Sequence, residues 1–125
     1  MPSLTPRRIL LVDDDMDNLE SLGAFLEGSL DRVVVEPFDD AERALERVKT
    51  AKFDVVITDQ RMPKMTGVEF LRRVAPLQPA FRILVTGEAI TDEGPAKGRP
   101  DLLLRKPIDT AILLKSVRDA FARRG

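Results

Sequence analysis

The sequence predicts a single α/β domain built as (βα)₅, with a mostly parallel sheet covered by helices on both faces. Three observations lead there. Five short apolar runs recur along the chain, at 9–12, 33–35, 55–57, 83–85 and 102–104. The first, Ile9 to Val12, is continuously apolar rather than alternating, the mark of a strand buried on both faces. Helix-period segments separate the runs, and alternating β and α elements give a parallel sheet with right-handed crossovers. The 125 residues, 43% of them hydrophobic, suffice for one domain spanning 1–125, with its core at about 7–123.

Ile9 to Val12 forms the first strand, and Leu19, Leu22, Phe25 and Leu26 follow at helical spacing with Gly28 placed to end that helix. Val33 to Val35 is the second strand, expected to stop at Pro37. Asp39 or Asp40 caps a helix with Ala41, Ala44, Leu45 and Val48 on its inner face. Val55 to Ile57 is the third strand. Thr66 and Glu69 stand at capping-box spacing before Phe70, Leu71 and Val74. Ile83 to Val85 and Leu102 to Leu104 are the fourth and fifth strands. Asp109 caps a last helix with Leu113, Leu114, Val117 and Phe121 inward, leaving Ile112 as a lone exposed apolar residue. Between the last two strands, 88–101 holds Gly94, Pro95, Gly98 and Pro100, so the helix expected there is shortened or missing.

Composition removes whole classes of function. Lys and Arg number 20 against 21 for Asp and Glu, a net charge of -1, which gives no basic excess for nucleic acid. No apolar run approaches a membrane span, and 1–8 lacks the apolar stretch of a signal peptide, so a cytoplasmic address is expected. The chain has no His, Cys, Trp or Tyr. His-based triads, thiol nucleophiles and Cys/His zinc sites are therefore excluded. What remains is chemistry by carboxylates, Lys, hydroxyls or a hard metal ion.

Open parallel sheets bind ligands beyond the carboxyl ends of their strands. The residues there are Asp13, Asp14 and Asp15 after the first strand, Thr58 and Asp59 at the third, Thr86 and Gly87 at the fourth, and Arg105, Lys106 and Pro107 at the fifth. Crowded carboxylates without His favour Mg²⁺ over transition metals. A cation, Lys106 and a hydroxyl together suit a phosphoryl group, and a carboxylate among them can act as nucleophile to give an acyl phosphate. Capping of the first helix requires one Asp rather than a run. Asp15 and Asp17 read as solvated first-turn residues favoured by the helix dipole. Met62, Pro63 and Gly67 read as loop geometry.

The segments ILLVDDD (9–15), DVVITDQRMPKMTG (54–67), ILVTG (83–87) and LRKP (104–107), in that order and at these spacings, resemble the receiver domain of two-component response regulators. The resemblance covers essentially the whole chain. It implies a flavodoxin-like doubly wound sheet of strand order 2-1-3-4-5. It also implies that Asp59 is the phosphoacceptor, that Asp14 ligates Mg²⁺ directly and Asp13 mainly through water, and that Asp59 and the backbone carbonyl of Arg61 complete the protein ligands, with Mn²⁺ as the alternative ion. Thr86 would donate its hydroxyl to the phosphoryl group and Lys106 would pair with it, with a cis peptide before Pro107. The implied partner is a sensor histidine kinase or a histidine phosphotransfer protein, and the output a protein contact rather than DNA or membrane.

Two departures from the family stand out. Leu103 occupies the position where receivers carry Tyr or Phe, and the interval from Thr86 to Lys106 is short. Both put the usual output surface in doubt, and a subset of receivers with Thr-Gly after the fourth strand is similar. Arg61 and Glu88 are placed either to meet across the site and restrict water or to be simply solvated. Three other readings compete with the receiver. Asp13-x-Asp15 resembles the start of haloacid-dehalogenase-type phosphatases, but the later acidic pair is absent and Asp59 would have no role. A flavin module lacks a Gly-rich phosphate loop and aromatic residues to sandwich the ring. A receiver-like docking module would never be phosphorylated.

Overall fold

The computed structural model describes residues 5–87 and 99–123. Along the chain run β1 (Arg7–Val12), α1 (Met16–Ser29), β2 (Val33–Phe38), α2 (Ala41–Thr50), β3 (Val55–Asp59), α3 (Gly67–Val74), β4 (Phe81–Thr86), β5 (Leu102–Arg105) and α4 (Thr110–Arg123). The five strands pair in parallel in the order β2-β1-β3-β4-β5, the flavodoxin-like arrangement. The helix expected between the last two strands falls mainly on 88–98, outside the described residues.

The continuous apolar runs of the three central strands are explained by two cores, one on each face, whereas Val34 of β2 and Leu103 of β5, on the edge strands, are exposed. Ile9, Leu11, Ile57, Ile83 and Val85 point toward Leu19 and Leu26 of α1 and Leu113 and Val117 of α4. Leu10, Val12, Val56 and Leu84 point the other way, toward Ala44 and Val48 of α2 and Phe70, Leu71 and Val74 of α3. Because side chains alternate along a strand, the two cores require apolar residues at successive positions over 9–12 of β1 and 55–57 of β3. The register sets Val12 beside Thr58 and Thr58 beside Leu84, so the ends of β1, β3 and β4 lie side by side at one rim.

Several boundaries differ from the sequence reading. β2 continues through Pro37 to Phe38, with Pro37 opposite Leu11. As an edge strand, β2 can carry a residue without an N–H where no neighbour needs one. α1 runs past Gly28 to Ser29, and the Leu30 N–H closes it on the Leu26 carbonyl. The reversal that follows uses Arg32, at φ 52, rather than a glycine. Asp40, not Asp39, caps α2, accepting from the amides of Glu42 and Arg43. Thr66 caps α3 through the Glu69 amide, while the Glu69 carboxylate reaches Arg73 at 3.3 Å instead of returning to complete the box. Asp109 caps α4 as anticipated, and Ile112 is exposed.

Candidate functional site

The aspartates after β1 have separate local roles. Asp15 is the N-cap of α1, accepting from the amides of Asp17 and Asn18 at 2.9 and 3.3 Å, so it is not the first-turn residue anticipated above. With the cap supplied by Asp15, capping does not account for Asp13 or Asp14. Asp13 is half-buried; its Oδ1 accepts from the Asp15 amide at 3.0 Å and its Oδ2 lies 3.4 Å from Asn18 Nδ2. Burial pushes the Asp13 pKa above the usual carboxylate value, and the charge of Asp59 adds to the rise. Asp14 is exposed.

Asp59, the last residue of β3, is buried to 8% exposure. Its Oδ2 accepts from the Arg61 amide at 3.2 Å. Its Oδ1 lies 2.7 Å from Lys106 Nζ, a short ion pair, and this buried oxygen has no other polar partner among the described residues. The short contact with Asp59 raises the Lys106 pKa above its ordinary value. One carboxylate oxygen from each of Asp13, Asp14 and Asp59 comes within 4.8 Å of the others.

Neighbouring elements complete the rim. Thr86 ends β4 with 1% exposure, and its carbonyl accepts from the Lys106 amide at 2.8 Å, tying β4 to the segment that carries Lys106. The Lys106–Pro107 peptide is cis. Asp59, Arg61, Thr86, Gly87 and Lys106 line one cleft, and Asp14, Arg61 and Met62 line the next. A Cβ at Gly87 would stand 3.8 Å from Lys106 Cδ, ordinary contact, so the opening beside Thr86 is not narrowed by its neighbour. Glu88 and its encounter with Arg61 lie outside the described residues.

Two residues the sequence reading passed over, Asn18 and Gln60, and one it took for loop geometry, Gly67, the first residue of α3, also shape this rim. Asn18 reaches Asp13 from one turn into α1. Gln60 receives the Val68 amide on Oε1 at 2.9 Å and the Gly67 amide on its carbonyl at 3.0 Å, anchoring the start of α3 beside Asp59. At Gly67 a Cβ would stand 2.3 Å from the Asp59 carbonyl oxygen and 2.6 Å from Leu84 Cδ1, so only glycine permits this approach. The one signal for it in the sequence is a glycine immediately after a capping threonine.

Five parallel strands in the flavodoxin-like order, with acids, a hydroxyl and a lysine at their carboxyl ends, occur in more than one family. Comparison narrows them to one: residues 9–118 match the family described as the Response regulator receiver domain. The chain belongs to the response regulator receiver family. A response regulator receiver protein of Anaeromyxobacter is 33% identical over 107 residues, covering 85% of this chain and 44% of that protein. The receiver protein CpdR of Brucella abortus is 32% identical over 116 residues, 89% of this chain and 93% of that one. This receiver thus spans less than half of the first relative and nearly all of the second. The receiver domain of an HD-domain-containing protein from Pseudomonas fluorescens Pf-5 superposes with a TM-score of 0.85 at 29% identity, covering 94% of this chain and 96% of that one.

Receivers typically bind Mg²⁺ at an acidic pocket. The residues of this receiver fit such an ion: the donors are all carboxylate oxygens, and one of them, Asp59 Oδ1, is buried with the Lys106 ammonium as its one polar partner among the described residues. No described helix is long and apolar enough to cross a membrane.

Proposed function

We propose that this receiver takes a phosphoryl group on Asp59 from the phosphohistidine of a sensor histidine kinase or histidine phosphotransfer protein, and relays the signal through a protein contact in the cytoplasm. The observation that carries this reading is the Asp13, Asp14 and Asp59 cluster with the Lys106 ammonium 2.7 Å from the buried Asp59 Oδ1. Asp13, Asp14, Asp59 and the Arg61 carbonyl would hold Mg²⁺, or Mn²⁺ in its place. Bound there, the ion supplies positive charge that offsets the crowded carboxylates and the phosphoryl oxygens.

An Asp59 carboxylate oxygen attacks phosphorus as the phosphorus–nitrogen bond of the donor breaks. The imidazole departs with that electron pair, and Asp59 becomes an acyl phosphate. Lys106 turns from Asp59 to the transferred group, matching its charge, while the Thr86 hydroxyl donates to a phosphoryl oxygen. The Arg61 amide keeps the Asp59 side chain from rotating away. Later attack by water on phosphorus releases phosphate and restores the carboxylate, so the protein is a relay with slow self-dephosphorylation rather than a metabolic enzyme.

Acetyl phosphate with Mg²⁺ tests the reading by mass spectrometry. One phosphoryl mapped to Asp59, absent from Asp59→Asn, is the expected result. Label on Asp13 would point to phosphatase chemistry, and no label on the wild type to a docking module.

A further inference from the structure

Thr58 carries a hydroxyl in the middle of the sheet, at a position with 0% exposure, between strands whose adjoining residues are Val12 and Leu84. Its neighbours along β3, Val55, Val56 and Ile57, are all apolar and buried. A valine of the same shape would suit the core, and a hydroxyl there is costly unless it is hydrogen-bonded. Thr58 Oγ1 donates to the carbonyl oxygen of Asp59 at 3.0 Å and lies 3.7 Å from Met62 Sδ.

The same carbonyl is confined from another direction. α3 approaches it so closely at Gly67 that a Cβ there would come within 2.3 Å of the oxygen and 3.0 Å of the carbon. The peptide unit leaving Asp59 is therefore held between a buried hydroxyl and the first residue of a helix. A carboxylate reaches only as accurately as its backbone is set, and the Asp59 carboxylate faces Lys106 on one oxygen and the Arg61 amide on the other.

We infer that Thr58 is a positioning residue for the phosphoacceptor: its hydroxyl, opposed by Gly67, fixes the backbone of Asp59 so that the carboxylate points into the acid cluster. This rests on the reading of Asp59 as the phosphoacceptor. Among the described residues the Thr58 hydroxyl reaches the Asp59 carbonyl and Met62 Sδ, so its effect passes through the chain that leaves Asp59. Misplacing a reacting group by about 1 Å can lower rates by about 100-fold, so a smaller shift is expected to cost about tenfold.

The test compares wild type, Thr58→Val and Thr58→Ser in acetyl phosphate labelling at saturating Mg²⁺, in Mg²⁺ affinity by calorimetry, and in melting temperature. Thr58→Val should label about tenfold more slowly and bind Mg²⁺ several-fold more weakly, and Thr58→Ser, which restores the hydroxyl, should recover both. A lower melting temperature with unchanged labelling and affinity would make Thr58 a core residue only and overturn the inference. So would a Thr58→Ser variant as slow as Thr58→Val. If Thr58→Val does not fold, Thr58→Cys, with its weak thiol donor, must fall between wild type and a tenfold loss, and wild-type behaviour overturns the inference. Failure of the wild type itself to label at Asp59 would instead sink the phosphoacceptor reading.

Discussion

Lys106 holds its ammonium 2.7 Å from Asp59 Oδ1 across the gap between the end of β3 and the segment after β5, joining residues 47 positions apart in the sequence. The pairing depends on strand order: β4 lies between them, and the Lys106 amide on the Thr86 carbonyl sets the distance. With one member 41% exposed, the pair is poorly shielded from solvent, and its main effect is on protonation and charge placement rather than on stability.

Asp59→Asn should bring the Lys106 pKa back down toward its ordinary 10.5 in metal-free protein, as followed by NMR of the lysine side chain. A lysine pKa raised by folding stabilises the fold below its ordinary value, and that contribution disappears as pH climbs through the raised value. The variant should therefore show a flatter alkaline limb in stability against pH. An unchanged Lys106 titration would count against the pairing.

Mg²⁺ should raise the melting temperature, because it binds the folded cluster alone. At ten times its Kd the ion adds about 1.4 kcal/mol by linkage, roughly 5 °C for a chain of this size. Asp14→Asn should stabilise the metal-free protein by relieving repulsion among the three acids, while weakening Mg²⁺ binding. Calorimetric melts with and without the ion decide it. Identical wild-type curves would remove the metal site.

Gly67→Ala should destabilise by about 3 kcal/mol, the upper end for an overpacked site, since its methyl would meet the Asp59 carbonyl and Leu84. Relief requires α3 to move outward, so Mg²⁺ affinity should fall along with stability. A urea midpoint equal to that of the wild type would show that α3 already stands away from Asp59.

Gln78, in the loop after α3, ties down the end of α2 and the turn before β3: its Oε1 accepts from the Phe53 amide at 2.7 Å, and its Nε2 donates to the carbonyls of Val48 and Ala51 at 3.0 and 2.8 Å. Gln78→Ala would leave these partly buried backbone groups without their partner, at a cost of about 2–3 kcal/mol. Gln78→Glu should also fail, since a carboxylate cannot donate to the two carbonyls. Denaturant unfolding of both variants is the measurement, and a loss below about 0.5 kcal/mol in Gln78→Ala would contradict this arrangement.

The strands were legible because a parallel sheet covered on both faces demands apolar residues at successive positions, and runs such as Ile9 to Val12 meet that demand locally. Asp13, Asp14, Asp59, Thr86 and Lys106 were legible because each stands within two residues of the end of such a run, and parallel strands bring their carboxyl ends to one rim. Other features depend on partners far away in the chain. Pro37 continues a strand because β2 lies at the edge of the sheet, a fact of strand order that a local breaker cannot report. Nothing local distinguishes three consecutive aspartates; in the fold Asp15 has the extended backbone of a cap and accepts from the Asp17 and Asn18 amides, leaving Asp13 and Asp14 beside Asp59. Thr58, Gly67 and Gln78 look in sequence like an ordinary strand residue, a loop glycine and a surface glutamine. The reason lies in distance: side-chain periodicity specifies which face a residue occupies, whereas a 2.3 Å approach or a hydrogen bond across 25 to 30 residues of sequence exists only once the helices are seated on the sheet.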